Sequence, residues 1–472
     1  MDQRTQDFIA AFKTFLDEVV ANHRERAEGE DDRALAPVLH RHLDADPRGI
    51  AVVTEEVPAY RFVDLDVALA ELQERDPGAR LLGIGGGEQR NHHSLSELLE
   101  MAGRFQQFPV GAVDYASVAA GPQCTREAVS FGLRLFSYAE SPVVVLQRAA
   151  APRYGAATGR MEILSPAPGV AAALIAEVHE LMVRRSVLRG QVLTMGGSDF
   201  EPGVGGITFH ERPALAPDDI VLPAGVLDRL QRHVAGVARH RDRLRAAGQH
   251  LKRGLLLYGP PGTGKTHTVR YLLGALPDLT VVLLSGPSIQ FVSEAVRMAR
   301  ALQPALVVLE DCDLVAENRD FSPGAQPLLF EVLEALDGLS DDADVAFLLT
   351  TNRVDVLEPA LAQRPGRVDL AVEVPLPDQS ARRLLLARYA RSIAFSPAVL
   401  DEVASQAEGM TASFIKELVR RAVLIAAEAE RDASDDDLTH AAQEMLDEAQ
   451  NITRSLLGAG DPEQHQVRDR DR

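Results

Sequence analysis

Near the middle of the chain, Gly259-Pro260-Pro261-Gly262-Thr263-Gly264-Lys265-Thr266 carries the pattern G-x-x-x-x-G-K-[ST]. The apolar run Gly254 to Tyr258 before it reads as a buried strand, and Lys265 to Leu273 reads as a helix. In that strand–loop–helix setting, glycines let backbone N–H groups turn inward around phosphates, and the helix N-terminus adds partial positive charge. Lys265 is placed to reach the β- and γ-phosphates of a nucleoside triphosphate such as ATP, and the Thr266 hydroxyl to ligate Mg²⁺. His267 follows directly and belongs to the same nucleotide-binding set. A chance glycine-rich turn accounts poorly for a lysine and a hydroxyl at these two positions.

A second pair of groups completes the chemistry. Leu306-Val307-Val308-Leu309 is a short apolar strand that ends in Glu310-Asp311. An acid at the edge of such a strand holds Mg²⁺, and the next one polarises an attacking water. That assigns Glu310 to the metal and Asp311 to catalysis. Taken alone, the pair could be an acidic helix cap; beside a phosphate loop, hydrolysis is the better reading.

The elements that must position these residues follow from the pattern. From about Ile207, strands (Gly254 to Tyr258, Thr280 to Leu284, Leu306 to Leu309, Val345 to Thr350) alternate with helices, which predicts a parallel sheet covered on both faces. After Pro377 only helical patterns remain: Ser380 to Tyr389, Pro397 to Gln406, Ala412 to Glu430 and Asp435 to Leu456. Upstream, Gly49 to Val53, Leu81 to Ile84 and Val143 to Leu146 read as strands. Ser94 to Phe105, Thr125 to Tyr138 and Val170 to Val187 read as helices, giving an α/β or α+β domain. Gly196 to Gly206, rich in glycine, reads as a linker. Phe8, Phe12, Phe15 and Val19 share one helical face, and the acidic run 28–32 follows.

The expected organisation is therefore residues 1–35 as an amphipathic helix and linker, and 36–206 as an N-terminal client or partner domain with a linker helix. Residues 207–377 form an ATPase core, 378–457 a helical lid, and 458–472 a charged, disordered tail.

Composition narrows the partners. A formal net charge of −20 repels a phosphate backbone, so nucleic acid is disfavoured as a partner. No apolar run approaches the roughly 20 residues needed to cross a bilayer, and the N-terminus lacks a secretory pattern. With only Cys124 and Cys312, a disulfide framework or zinc knuckle is out of reach. A cytoplasmic protein is expected.

Several blocks resemble the AAA clade of the AAA+ ATPases. They are the Pro-Pro of the phosphate loop, Thr350-Thr351-Asn352-Arg353-Val354-Asp355, the run Leu361 to Asp369, Leu329 to Leu339, and Gly409 to Ile415. The resemblance covers roughly Asp218 to Leu456. It implies an α/β P-loop core with a helical lid, and a ring, usually a hexamer, with ATP held between neighbouring subunits. By match to the family pattern, Asn352 is the polar sensor that orients water near the γ-phosphate. Arg364 and Arg367 resemble arginine fingers that reach the neighbour's ATP. Asp219-Ile220 resembles the segment lining the adenine pocket, and Thr411 and Ala412 occupy the lid position near the nucleotide.

Asn352-Arg353-Val354-Asp355 also approaches the guanine-reading N-K-x-D, but the lysine is missing. The family's metalloproteases carry H-E-x-x-H after the lid; here the nearest string, His179-Glu180-Leu181-Met182-Val183, lies upstream and lacks the second histidine. The chain ends Arg470-Asp471-Arg472 rather than in the hydrophobic–Tyr–X tail of proteasome-docking relatives.

The order Glu310-Asp311 reverses the usual Asp-Glu, and the segment Ser285 to Val292 is compressed where peptide-threading relatives place an aromatic pore pair. Both features resemble the AAA group that translocates the folded Rieske iron–sulfur protein. Phe291-Val292 is either that pore pair or, the favoured reading, packing under a shortened helix. The functional expectation is a ring-forming ATPase that remodels or translocates a protein client. The alternatives are a slowly hydrolysing, ATP-gated scaffold and a DNA-linked AAA+ protein. Gly83-Ile84-Gly85-Gly86-Gly87 reads as a tight turn, His92-His93 as surface residues, and Cys312, between two acids, as redox-inert.

Overall fold

The computed structural model describes residues 34–105, 107–151, 158–197, 204–313, 343–353 and 368–456. The opening helix, the acidic run, the block Leu329 to Leu339, Arg364, Arg367 and the tail lie outside them. The chain divides into two units, Met1–His210 and Glu211–Arg472.

The first unit is built on an antiparallel sheet. Its strands are β1 (Val53–Pro58), β2 (Arg80–Ile84), β3 (Val110–Gly111), β4 (Asp114–Gly121), β5 (Cys124–Tyr138), β6 (Ser141–Arg148) and β7 (Thr158–Leu164), in the order β1-β7-β6-β5-β2-β3, with β4 also on β5. Helices Leu35–Leu43 and Leu95–Phe105 share one core with Phe131, Leu133, Leu135, Val144 and Leu146. Helices Phe62–Glu74 and Val170–Arg184 share another with Phe136, Val143 and Val145. Because side chains alternate across a strand, these two sets belong to opposite faces, and the sheet is buried on both.

That double burial explains one correction. Thr125 to Tyr138, read as a helix, is most of β5, paired with β4 and β6. A strand buried on both faces shows no polar alternation, and this one also carries a buried Arg134. Its guanidinium donates to Asp66 Oδ1 (2.7 Å) and Gln147 Oε1 (2.8 Å), which satisfies the charge internally. Gly49 to Val53 is not a strand either. Pro47–Gly49 is a 3₁₀ turn, with Arg48 N donating to the Asp46 side chain, and β1 starts only at Val53. The glycine-rich stretch Gly196 to Gly206, read as a linker, is strand at both ends, and residues 198–203 lie outside the described residues. It contains the ends of β8 (Val192–Gly197) and β9 (Val204–His210), antiparallel with Gly196 opposite Gly206. The apolar alternation of Val192 to Met195 against Ile207 to Phe209 outweighs the glycines.

The second unit has the expected α/β layers. β10 (Arg253–Tyr258), β11 (Thr280–Ser285), β12 (Ala305–Glu310), β13 (Val345–Thr351) and β14 (Leu370–Glu373) run in the order β14-β10-β13-β12-β11, all parallel. The C-terminal ends of β10, β12 and β13 therefore open on one edge, where α/β sheets bind ligands. Helices Gln379–Tyr389, Pro397–Gln406, Ala412–Glu428 and Asp435–Leu456 form a separate apolar core around Leu386, Val403, Ile415, Leu418 and Leu438. Asp378, Ser396 and Thr411 cap the first three by accepting from Ala381, Val399 and Phe414 N–H.

At the foot of β10, Arg253 and Asp344 form a buried pair at 2.8 Å, with side chains 3% and 1% exposed. The guanidinium also donates to the carbonyls of Val234 and Leu251. Asp344→Ala strands that cation, and we expect a loss of about 3–5 kcal/mol of stability, read as a lower denaturant midpoint. An unchanged midpoint would show that the carbonyls alone satisfy Arg253.

Candidate active site

The phosphate loop leaves β10 at Tyr258 and enters the helix Lys265–Ala275. Gly259 has φ of 144°, and a Cβ there would fall 2.2 Å from the Val374 carbonyl oxygen, so only glycine fits. Pro260 and Pro261 have no N–H to offer, which leaves the amides from Gly262 onward to face an anion. The Pro260 carbonyl accepts from Thr263 Oγ1 (2.9 Å) and from Lys265 Nζ (2.9 Å). Lys265 Nζ also donates to the Gly259 carbonyl (2.9 Å). An ammonium has three donors, so with two on the loop a third is available to phosphate. Burial pulls the Lys265 pKa down, countered by Asp311 and Asp313.

Glu310 is the last residue of β12. Burial raises its carboxyl above the ordinary range, and a hydrogen bond with the Thr266 side chain works against that rise. Its Oε1 is buried with no partner. A buried, unpartnered carboxylate oxygen beside a threonine hydroxyl fits a hard divalent cation, since Mg²⁺ in such sites uses one or two carboxylates plus substrate phosphates. Thr266 and Glu310 are the residues that would hold it. No group of three or more metal-binding side chains occurs among the described residues, which leaves this two-residue site as the candidate.

Asp311 sits in the left-handed region, with φ of 53°, and its N–H donates to Thr350 Oγ1 (3.0 Å). Two residues on, buried Asp313 accepts from Thr351 Oγ1 (3.0 Å), Asn352 N (3.1 Å) and Asn352 Nδ2 (3.4 Å). Burial would raise Asp313, but these donations hold it below the usual carboxylate range. The parallel register, Leu309 opposite Leu349, brings the acids of one strand against the threonines of the next. Asp313, Thr350 and Thr351 were missed as site residues. The signal available was a third acid shortly after one buried strand and a threonine pair closing its neighbour.

The lid closes the loop from the other side. Ser413 N donates to the Gly262 carbonyl (3.0 Å), and a Cβ at Gly262 would lie 3.1 Å from Thr411 Oγ1. Thr411 and Ser413 thus stand at the loop, on either side of Ala412 in the chain. Asp219 and Ile220 form a turn joined to the phosphate-loop helix, where His267 Nε2 donates to the Asp219 carbonyl (3.2 Å).

Residues 255–376 match the family model "ATPase family associated with various cellular activities (AAA)". The chain belongs to the AAA+ ATPases. It is 35% identical over 218 residues to the ATP-dependent zinc metalloprotease FtsH 2 of Sphaerobacter thermophilus, covering 43% of this chain and 33% of that protein. FtsH 1 of Symbiobacterium thermophilum is 32% identical over 315 residues, 62% of this chain and 50% of that protein. The 26S proteasome regulatory subunit 6A of Encephalitozoon cuniculi is 30% identical over 268 residues, 52% and 66%. The chain thus spans between a third and two thirds of the length of these relatives.

The remaining AAA+ assignments divide cleanly. Asn352, expected as the polar sensor, directly follows β13 and donates to Asp313 from both its N–H and its Nδ2, while Arg364 and Arg367 lie outside the described residues. Phe291, 7% exposed, ends the 3₁₀ turn Gly286–Phe291, and Val292 is fully buried, so both pack inward. Burial pushes the Cys312 thiol up to about 12, with Asp313 and Asp311 adding to the rise. His93 packs on Phe108, and His179 pairs with Glu55. A Cβ on Gly86 would strike the Phe108 ring, which makes the Gly83 to Gly87 turn a packing feature. No helix among the described residues is long and apolar enough to cross a membrane.

Proposed function

We propose that the chain is a cytoplasmic, ring-forming ATPase, assembled as a hexamer, that uses ATP hydrolysis to remodel or translocate a protein client bound by its first unit. The observation that carries this reading is the convergence of Lys265, Thr266, Glu310, Asp311 and the Asp313–Asn352 pair on one sheet edge inside an AAA domain. Thr266 and Glu310 would hold Mg²⁺, which would supply charge neutralisation at the phosphates.

Asp311 and Asn352 orient a water against the γ-phosphorus. The water oxygen bonds to phosphorus, the bond to the β–γ bridging oxygen breaks, and Asp311 takes the water's proton. ADP and phosphate leave, and the proton passes to solvent. The relatives include proteins named as metalloproteases and proteasome subunits, which supports a protein as client. Buried Phe291 and Val292 favour a folded client over a threaded one.

In a shared site, Arg364 and Arg367 complete the neighbour's pocket. Arg364→Ala and Arg367→Ala are expected to keep Mg·ATP binding and to lower turnover about 10³–10⁵-fold. Co-assembling either variant with Lys265→Ala subunits should restore part of the activity, because some interfaces then regain both groups. Arginine variants that turn over normally, or mixed assemblies that stay silent, would remove the shared site.

The reversed acid order and the left-handed Asp311 favour a second reading, an ATP-gated scaffold with slow turnover. Sizing in ADP and ATP alongside steady-state hydrolysis separates the two. Brisk, client-stimulated turnover excludes the scaffold.

A further inference from the structure

The turn before the phosphate-loop domain is held from two sides, by the phosphate-loop helix and by the first helix of the lid. Pro217–Asp219 is a single 3₁₀ turn, closed by Asp219 Oδ2 accepting from Ala216 N (2.6 Å) and by Ile220 N donating to the Pro217 carbonyl (3.1 Å). Its Asp219 carbonyl receives His267 Nε2–H from the phosphate-loop helix. Its Asp219 Oδ1 pairs with the guanidinium groups of both Arg388 and Arg391, from the end of the first lid helix and just beyond it. Arg388 also donates to the Asp218 carbonyl. The Asp219 and Arg388 side chains are only 15% and 19% exposed, while Arg391 is 65% exposed. Val221, two residues on, packs against the lid core.

We infer that Arg388 and Arg391 are positioning residues that act through Asp219, so that the lid sets the geometry of the base-binding turn. This rests on the proposed reading of Asp219-Ile220 as the adenine segment. The phosphates are gripped by backbone amides and Lys265, which are built into the α/β core. The base turn instead hangs between His267 on the core and two arginines on the lid. A lid displaced from the core drags the turn with it or breaks the ion pairs. The arrangement therefore couples lid position to recognition of the base, and leaves phosphate recognition to the loop. Arg388, largely enclosed and bonded at two points of the turn, carries most of the coupling. Arg391, largely in solvent, carries less, since exposed pairs are weak.

A ligand carrying the phosphates without the base separates the two contributions. The experiment compares calorimetric binding of Mg·ATP and Mg·tripolyphosphate to the full chain, to Arg388→Ala/Arg391→Ala, and to Arg388→Lys. The double variant is expected to lose about tenfold or more in ATP affinity while its tripolyphosphate affinity stays within twofold of the parent. Preference for ATP over GTP should shrink in parallel. Arg388→Lys, which keeps the charge, should retain most of the ATP affinity, and this separates the ion pair from a lid that fails to fold. Unchanged ATP affinity in the double variant overturns the inference, as does an equal loss for both ligands. A parent chain that binds neither ligand overturns the nucleotide reading itself.

Discussion

Lys265→Ala is expected to lower Mg·ATP affinity at least about a hundredfold, because a charge-assisted contact to the phosphates in a partly desolvated site is worth about 3 kcal/mol. Hydrolysis should fall below detection with it. The Nζ donates to the Gly259 and Pro260 carbonyls, which aims its charge into the loop. Truncation should not collapse the loop. Thr263 Oγ1 still donates to Pro260, and Ser413 N still holds the Gly262 carbonyl. A thermal melt matching the parent, together with lost nucleotide binding by calorimetry, is the expected pair of results. Binding within tenfold of the parent would mean that the amides and helix terminus suffice, and that Lys265 serves the loop rather than the phosphates.

The parts of this site that the sequence discloses are those whose chemistry is local. Gly259 to Thr266 is contiguous, and its glycines, lysine and threonine each have a function fixed by neighbours in the chain. Asp313 is different. It becomes a site residue only because β12 and β13 lie side by side in a register that sets Thr351 and Asn352 against it. Arg388 and Arg391 are likewise unremarkable helix-end arginines until the lid folds back on Asp219. The same limit applies to the first unit. Strand β5 has no polar alternation because helices cover both faces of its sheet, and its buried Arg134 is accommodated by Asp66 and Gln147 from other elements of the chain. Gly196 and Gly206 suggest a loose connection, whereas the segments on either side pair as antiparallel strands. Hydrophobic period and turn chemistry report what a segment prefers alone. They do not report which second segment arrives to change the outcome.

Asp311→Asn is expected to preserve Mg·ATP binding to within a few-fold and to lower the turnover number by about 10²–10⁴, the usual contribution of a general base. Asparagine is the informative substitution because of the backbone. Asp311 holds φ of 53°, a region that Asp and Asn tolerate better than longer side chains because a short polar group can bond locally. The variant therefore keeps the turn and its N–H bond to Thr350 Oγ1 while losing the proton acceptor. The same conformation gives a physical reason for the reversed acid order. A left-handed residue at the end of β12 favours aspartate, and the longer glutamate moves one place back, where its carboxylate reaches Thr266. Asp311→Glu should then cost about 1 kcal/mol in stability for the strained turn. Any gain in turnover from that variant measures what the shorter arm sacrifices. If Asp311→Asn turns over as fast as the parent, Asp311 is not the base, and slow parental hydrolysis would then favour the scaffold over the motor.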